Sequence, residues 1–515
     1  MKKQLLLFVM ILLPMAAMAD ESGTCGQNLT WTYEEATKTL TISGEGDMPF
    51  YGYSGYPWHK YNDKTVNIII GTGITNITAN AFGYFSMLTS ITIPDGLTSI
   101  GYRAFQFCSA LTSIIIPDNL NNIGNEAFFG CTSLAAVYIK SLESWLSIKF
   151  EGYSSFNGAK LYLNGAELTN LTIPDSFSVI NDFAFCGFAS LRTVIIPDGV
   201  TSIGAHAFEG CSGLTSITIP NSMTSIGNCA FSGCSSLTSI TIPDGLTSIG
   251  YHAFVACSGL TSIKIPNGVT NIKEGTFSKC SSLTSISIPD AVTSIGSGAF
   301  SGCSNLTSFT IPDGVKIIDN SVFEGCSGLT SIKIPKSIIT IGGSAFSDCA
   351  SLTYINIPEG VIDIGDCAFS YCSSLISFNV PDGVKALGYR VFLNCSSLTS
   401  INIPDGLVSI DYGAFEDCSS LASIKLPESV TTIGAAAFEG CSSLSSITIL
   451  NGMRNIGNGA FRECHNLSNV SIKSIESWLS IKFENEFSNP LCYGAKLFLN
   501  GVELTNLIIP DEYLL

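Results

Sequence analysis

Four histidines, nineteen cysteines and a recurrent aspartate are the residues of this 515-residue chain that could carry metal, redox or acid–base chemistry. The histidines are His59, His206, His252 and His465. His206 and His252 hold the same place in a repeating pattern, two repeats apart, so stacking at strand spacing would leave them roughly 10 Å from each other. That is too far to share a metal or to pass a proton. Fourteen cysteines fall at one place, positions 108 and 131 and then every 23 residues from 211 to 464, while Cys25, Cys186, Cys229, Cys367 and Cys492 lie outside it. No Cys-x-x-Cys or His-x-x-x-His pair offers zinc a site. A cysteine in copy after copy is what a small buried apolar side chain would be. Adjacent thiols would have to tilt together to bond, so reduced core thiols are expected even though export favours oxidation. The aspartates Asp95, Asp118, Asp198, Asp244 and Asp313 share a column that could bind calcium, but the Gly-Gly-x-Gly-x-Asp pattern is absent and turn formation accounts for them. The expectation is no catalytic residue, no cofactor and no metal.

The elements that place these residues are short and repeated. Proline recurs at 94 and 117 and then every 23 residues from 174 to 427. Each copy reads approximately Leu-x-x-Ile-x-Ile-Pro-Asp-Gly-Val-x-x-Ile-Gly-x-x-Ala-Phe-x-x-Cys-x-x. In Leu237-Thr238-Ser239-Ile240-Thr241-Ile242 the isoleucines alternate with hydroxyls, which predicts a strand with one apolar face. Pro243 removes a ladder donor and ends it, and Asp244-Gly245 turns the chain. The column of Gly250 is glycine in eleven copies and Asn181, Asp319 or Asp411 in three, which predicts a positive φ there; Thr78 and Lys273 do not fit that rule. Ala253-Phe254 starts a brief helical or 3₁₀ turn. One copy cannot bury its apolar side, but stacked copies can, and sixteen of the 31 phenylalanines would then form a spine. The fold class expected is a leucine-rich-repeat solenoid of about sixteen turns, with a parallel sheet on one face and short helical or 3₁₀ turns on the other.

The ends and two interruptions differ. Lys2 and Lys3, an apolar run and Ala17-Met18-Ala19 read as a signal peptide over residues 1–19. Residues 20–64 are expected to form an N-terminal β-hairpin cap around Leu29, Trp31, Tyr33, Leu40 and Ile42, with Tyr51, Tyr53, Tyr56, Trp58 and Tyr61 as cap packing or a glycan platform. The first repeats occupy 65–139. An insertion at 140–167 has helical spacing at Leu142, Trp145, Leu146 and Phe150 and then Asn164-Gly165, a hairpin signal. The main array fills 168–472. The insertion returns at 473–515 with Asn500-Gly501 and a terminal strand, and it acts as a spacer, a cap or a ligand-contacting protrusion.

The strand Leu-x-x-Ile-x-Ile-Pro, the turn Ile-Gly-x-x-Ala-Phe and the 23-residue step resemble the BspA-like leucine-rich-repeat proteins of bacterial surfaces, over residues 65 to 511. The resemblance implies adhesion to host matrix proteins, host cells or other bacteria, and supplies no catalytic motif. A net charge of −17, more negative once Lys2 and Lys3 are removed, repels phosphate backbones, so nucleic acid is excluded as a partner. Beyond the leader no stretch is long and apolar enough to span a bilayer. The expected function is an exported, non-enzymatic binding protein, secreted or held at the cell surface as an adhesin for a protein or glycoconjugate; the alternative is a structural cell-envelope spacer without a specific ligand. Outward strand positions are mostly Ser and Thr, but one column becomes longer and more polar through Lys264, Lys333, Asn356, Asn379, Asn402 and Lys425, with the aromatic Tyr354 beside it. These seven are the candidate ligand-binding residues.

Overall fold

In a computed structural model of the protein, residues 21–52, 55–153, 156 and 158–505 are described, and they form a β-solenoid of parallel strands. The leader expected over residues 1–19, Tyr53 of the cap and the terminal strand expected within 506–515 lie outside them. The chain divides into two compact units, residues 1–169 with 181–190, and residues 170–180 with 191–515. The solenoid has about 19 turns rather than about sixteen.

The first unit opens with three antiparallel strands, β1 (Glu21–Thr24), β2 (Leu29–Glu34) and β3 (Thr39–Asp47). The alternation at Leu29, Trp31 and Tyr33 buries one face of β2, as the hairpin reading requires. Strand β3 then pairs in parallel with both β4 (Asn67–Ile70) and β5 (Gly73–Ile77), so one strand starts two ladders. Trp58 stacks on Phe82 with ring centroids 5.9 Å apart, and its indole Nε1 donates to the Ala81 carbonyl at 2.8 Å. Elsewhere the Phe backbone N–H donates to the carbonyl of the residue before the phenylalanine of the next turn, as Phe82 does to Ala104 at 2.8 Å. The indole therefore supplies a donor where no preceding copy exists. Tyr56, Trp58 and Tyr61 are buried and pack in the cap, whereas Tyr51 is 39% exposed.

The aperiodic turn of this unit contains helix α1 (Leu142–Ser147), capped by Ser141, whose hydroxyl accepts the Ser144 N–H at 3.0 Å. Phe150 leaves the helix and joins a two-residue strand paired with Asn122–Ile123. Asn164 and Gly165 both have positive φ, 51° and 81°, and connect Lys160–Leu163 to an antiparallel return strand, Ala166–Glu167. That return strand ends the sheet.

In the second unit most turns contribute two short parallel strands. One is the expected Ser-Ile-Thr type, such as Ser262–Lys264 against Ser285–Ser287. The other is a two-residue strand just before the glycine column, such as Ser225–Ile226 against Ser248–Ile249, which the repeat pattern did not reveal. Pro243 closes the corner between them by accepting the Leu246 N–H at 3.1 Å. On the third side the Ala-Phe segment makes isolated i→i−3 bonds of the 3₁₀ kind, such as Cys257 N–H to Phe254 at 3.1 Å. They do not run on, because a residue with positive φ stands two places before and two places after each phenylalanine, as at His252 (55°) and Ala256 (57°). Alternate N–H groups there reach the next turn, His252 to Glu274, Phe254 to Thr276 and Ala256 to Ser278, at 2.8 to 3.0 Å. These bonds offset the roughly 1–2 kcal/mol that each left-handed non-glycine residue costs. This unit closes as the first one does, with α2 (Ile475–Leu479) and a hairpin of Lys496–Leu499 with Val502–Glu503.

The glycine column corrects the expectation made for it. None of its residues, glycine or other, has a positive φ. Its cause is proximity: a Cβ on Gly250 would stand 2.4 Å from backbone atoms of Gly227 and Asn228 in the preceding turn. Inside, Leu237, Ile240, Leu246, Ile249, Ala253, Phe254 and Cys257 of one turn are all buried. Each large side chain among them contributes roughly 1.5–3 kcal/mol by leaving water. The spine runs unbroken from Phe208 to Phe461 within this unit, with neighbouring ring centroids 5.3 to 5.8 Å apart.

Candidate functional site

The outward face of the Ser-Ile-Thr ladder is set by period-two alternation, which turns the central apolar residue inward and its neighbours outward, as at Ile217 and Ile263. Lys264, Lys333, Asn356, Asn379, Asn402 and Lys425 are all exposed on that face, and Tyr354 is 60% exposed. Register brings some of them together. Asn379 and Asn402 are strand partners, and Asn402 Nδ2 donates to Asn379 Oδ1 at 2.7 Å. Lys333 pairs with Thr310 and Lys264 with Ser287, so those two lysines stand three turns apart. Lys264 Nζ lies 3.9 Å from Asp244, an exposed and weak ion pair. Lys333 and Asn356 form one wall of a cleft of about 630 Å³, whose other side is Pro335, Lys336, Pro358 and Glu359 at the corner of the turn. Lys425 belongs to a turn beyond these contacts and lines neither cleft nor ladder with them.

The same outward column holds residues that the sequence reading passed over. In the first unit it runs Ile69, Thr92, Ile115, Tyr138 and Tyr162. Ile115 is 57% exposed and sits directly beside Tyr138, which stacks on Tyr162 at 4.9 Å. The signal was available: a third consecutive isoleucine in Ile114-Ile115-Ile116 breaks the alternation of apolar and hydroxyl residues. The column is therefore apolar early and polar late, not uniformly hydroxylic before Lys264.

Three of the four histidines have side-chain partners. His206 pairs with Glu209, His465 packs edge-on against Tyr493, and His59 lies against Tyr56. No three His, Cys, Asp or Glu side chains come together as a metal site among the described residues. Asp95 and Asp244 are exposed turn residues facing Lys140 and Lys264. All fourteen column cysteines are buried. Copy after copy the thiol donates to the phenylalanine carbonyl of the preceding turn, Cys257 to Phe231 and Cys280 to Phe254 both at 3.1 Å. Cysteine thus combines a small apolar volume with one donor, and alanine would leave that carbonyl bond unmade. Burial pushes Cys303 and Cys372 up to about 12 from an ordinary 9.0, which removes the nucleophilic thiolate at neutral pH. Native protein at pH 8 should therefore resist alkylation by iodoacetamide at these fourteen positions and react at all of them once denatured. Mass spectrometry showing native disulfides between adjacent turns, or full native labelling, would reject this.

Comparison with known proteins follows the geometry. A family model described as a BspA type leucine rich repeat region (6 copies) matches residues 59–162, 156–284, 270–399 and 388–489. The crystal structure of a leucine-rich repeat protein from Bacteroides ovatus is 35% identical, covering 61% of this chain and 91% of that one with a TM-score of 0.53. A leucine rich cell surface protein from Faecalibacterium prausnitzii is 23% identical, covering 91% of this chain and 99% of that one with a TM-score of 0.32. No curated protein matches.

Proposed function

We propose, from the premise that this chain belongs to the BspA-type leucine-rich repeat family, that it is an exported adhesin which holds a protein or glycoconjugate of a host or bacterial surface on its outward sheet. The observation that carries the reading is Tyr354, 60% exposed in the turn whose Asn356 lines the corner cleft with Lys333. An exposed aromatic beside a concave polar surface is the composition that binding hot spots favour. The leader-like first nineteen residues support export, and no helix among the described residues is long and apolar enough to cross a membrane. The non-enzymatic part of the proposal rests on the engagement of His59, His206, His465 and the fourteen column thiols in packing, ion pairing and hydrogen bonds. Under this reading, Tyr354→Ala with Asn379→Ala lowers affinity at least about tenfold for a ligand found by screening the purified protein against host-matrix and bacterial surface proteins. The melting temperature stays within a degree or so, because exposed substitutions of this kind are worth about 0.5 kcal/mol or less. Unchanged affinity would sink the placement, and a screen without any ligand would favour a cell-envelope spacer.

The apolar column of the first unit favours a second placement of the same function. Ile115→Ser with Tyr138→Ser is the matching variant. Loss of binding there, with Tyr354→Ala neutral, would move the contact surface to residues 67–163.

A further inference from the structure

The second unit carries a concave surface away from the outward sheet, on the ladder of two-residue strands. Its origin lies in the glycine column. Two turns apart, Lys273 and Asp319 replace the usual glycine, and Gly296 remains between them. A Cβ on Gly296 would stand 2.7 Å from the Glu274 backbone nitrogen, so the turn between the two side chains stays bare. The result is a cleft of about 860 Å³. Tyr251, Lys273 and Glu274 line one side, Lys316, Ile317 and Asp319 line the other, and Ser294 and Gly296 lie between. Sites for small ligands occupy roughly 300–1,000 Å³.

We propose that this cleft binds a neutral saccharide. Its charged side chains are two ammonium groups and two carboxylates, a balance of zero in a chain of net charge −17. A sugar hydroxyl both donates and accepts, so carboxylates and ammoniums serve it equally well. An acidic ligand would meet Glu274 and Asp319, and a basic one would meet both lysines, so each carries a repulsive element that a neutral polyol avoids. Tyr251 is 49% exposed and Ile317 is 53% exposed, which gives the C–H face of a pyranose apolar surface on both sides. Two of the polar groups are held in place before a ligand arrives. Lys273 Nζ sits 5.2 Å from the centre of the Tyr251 ring, and Asp319 Oδ1 accepts the Asn320 N–H at 2.8 Å. On the same face Ser294 donates to Asn271 Oδ1 at 2.6 Å and Asn271 Nδ2 donates to Thr270 Oγ1 at 3.0 Å, so both side chains are fixed. Side chains already ordered lose less freedom on binding.

The test uses the full chain with short oligomers of glucose, mannose, galactose and N-acetylglucosamine, read by saturation-transfer NMR and calorimetry. Oligogalacturonate and a casein digest are the charged-sugar and peptide controls. The expected result is binding of at least one neutral oligomer, with an affinity that does not change between low and high salt, as hydrogen bonds to an uncharged ligand require. Tyr251→Ala with Lys273→Gly should weaken it about tenfold or more. That variant installs the residue eleven other copies carry, and an unchanged melting temperature verifies the fold. Tyr354→Ala with Asn379→Ala should leave saccharide binding intact, which separates this cleft from the outward sheet. The inference is overturned if no neutral oligomer binds, if the acidic oligomer or the peptides bind in preference, if the Tyr251 and Lys273 variant binds as well as the parent, or if the Tyr354 variant abolishes saccharide binding.

Discussion

Raising the pH from 9 to 12 under reducing conditions is expected to unfold the main array cooperatively. Twelve of the fourteen column thiols are held above their ordinary value of 9.0 by burial, Cys303, Cys372 and Cys464 to about 12. In the unfolded chain the same thiols ionise near 9. Below that pH both states keep the proton and stability is complete. Between 9 and 12 the unfolded chain releases protons that the folded chain retains, so stability falls by about 1.4 kcal/mol per thiol for each pH unit. Cys303, Cys372 and Cys464 alone then withdraw about 4 kcal/mol per unit, a large part of the 5–15 kcal/mol that keeps most domains folded. Neighbouring thiolates in the column would also repel each other, which raises the energy of any partly ionised folded state. Circular dichroism against pH measures the transition. Tyrosine and lysine titrate in the same range, so the decisive comparison is a variant with Cys257, Cys280 and Cys303 changed to alanine: its stability must fall less steeply with pH. An identical slope would assign alkaline unfolding to other groups.

The second large effect belongs to the spine. Phe254→Ala should cost about 3–5 kcal/mol, the usual range for a buried phenylalanine. Phe254 is fully buried and stacks on both Phe231 and Phe277, at 5.4 and 5.6 Å. Its N–H and carbonyl are bonded to Thr276 and Cys280, so the backbone is held by neighbours and cannot collapse into the space left. In a stacked array each turn is stabilised mainly by the turns on either side, so the loss is local in origin. Urea unfolding monitored by hydrogen exchange should show early opening centred on residues 231–277, ahead of the turns near Phe415. Phe254→Leu, which keeps much of the volume, should recover more than half of the loss. A single unfolding transition shifted uniformly by less than about 1 kcal/mol would refute the spine's energetic role.

How much of this was legible follows from what each column demands of a side chain. Ile240, Phe254 and Cys257 face the interior, and burial restricts residue type so strongly that the 23-residue step and the fold class can be read directly. The second ladder was hidden because two residues, such as Ser248 and Ile249, are too few to display an alternation. The positive-φ places were hidden for the opposite reason: His206, Cys229, Ala256 and Arg390 share that backbone conformation with no common side chain, because inter-turn hydrogen bonds and not residue type impose it. Gly250 was noticed for the right residue and the wrong cause, since sequence cannot distinguish a left-handed glycine from one that another backbone touches. Of the candidate contact residues, exposure of the Lys264 to Lys425 column followed from alternation, whereas the corner cleft at Lys333 and the cleft beside Gly296 depend on neighbours 23 or 46 positions away.

Column register also bears on how the gene can change. Three recurrent relations in the array, thiol to carbonyl, ring to ring and strand to strand, each link one copy to the next. Unequal crossing-over between two near-identical copies removes or adds a whole 23-residue unit in frame, and the flanking turns meet with their phenylalanines, cysteines and glycines already aligned. Such an event alters the reach of the protein and the spacing of its surface patches while leaving each interface chemically unchanged. The length of this array is thus an inheritable variable that selection can tune without first having to repair a core.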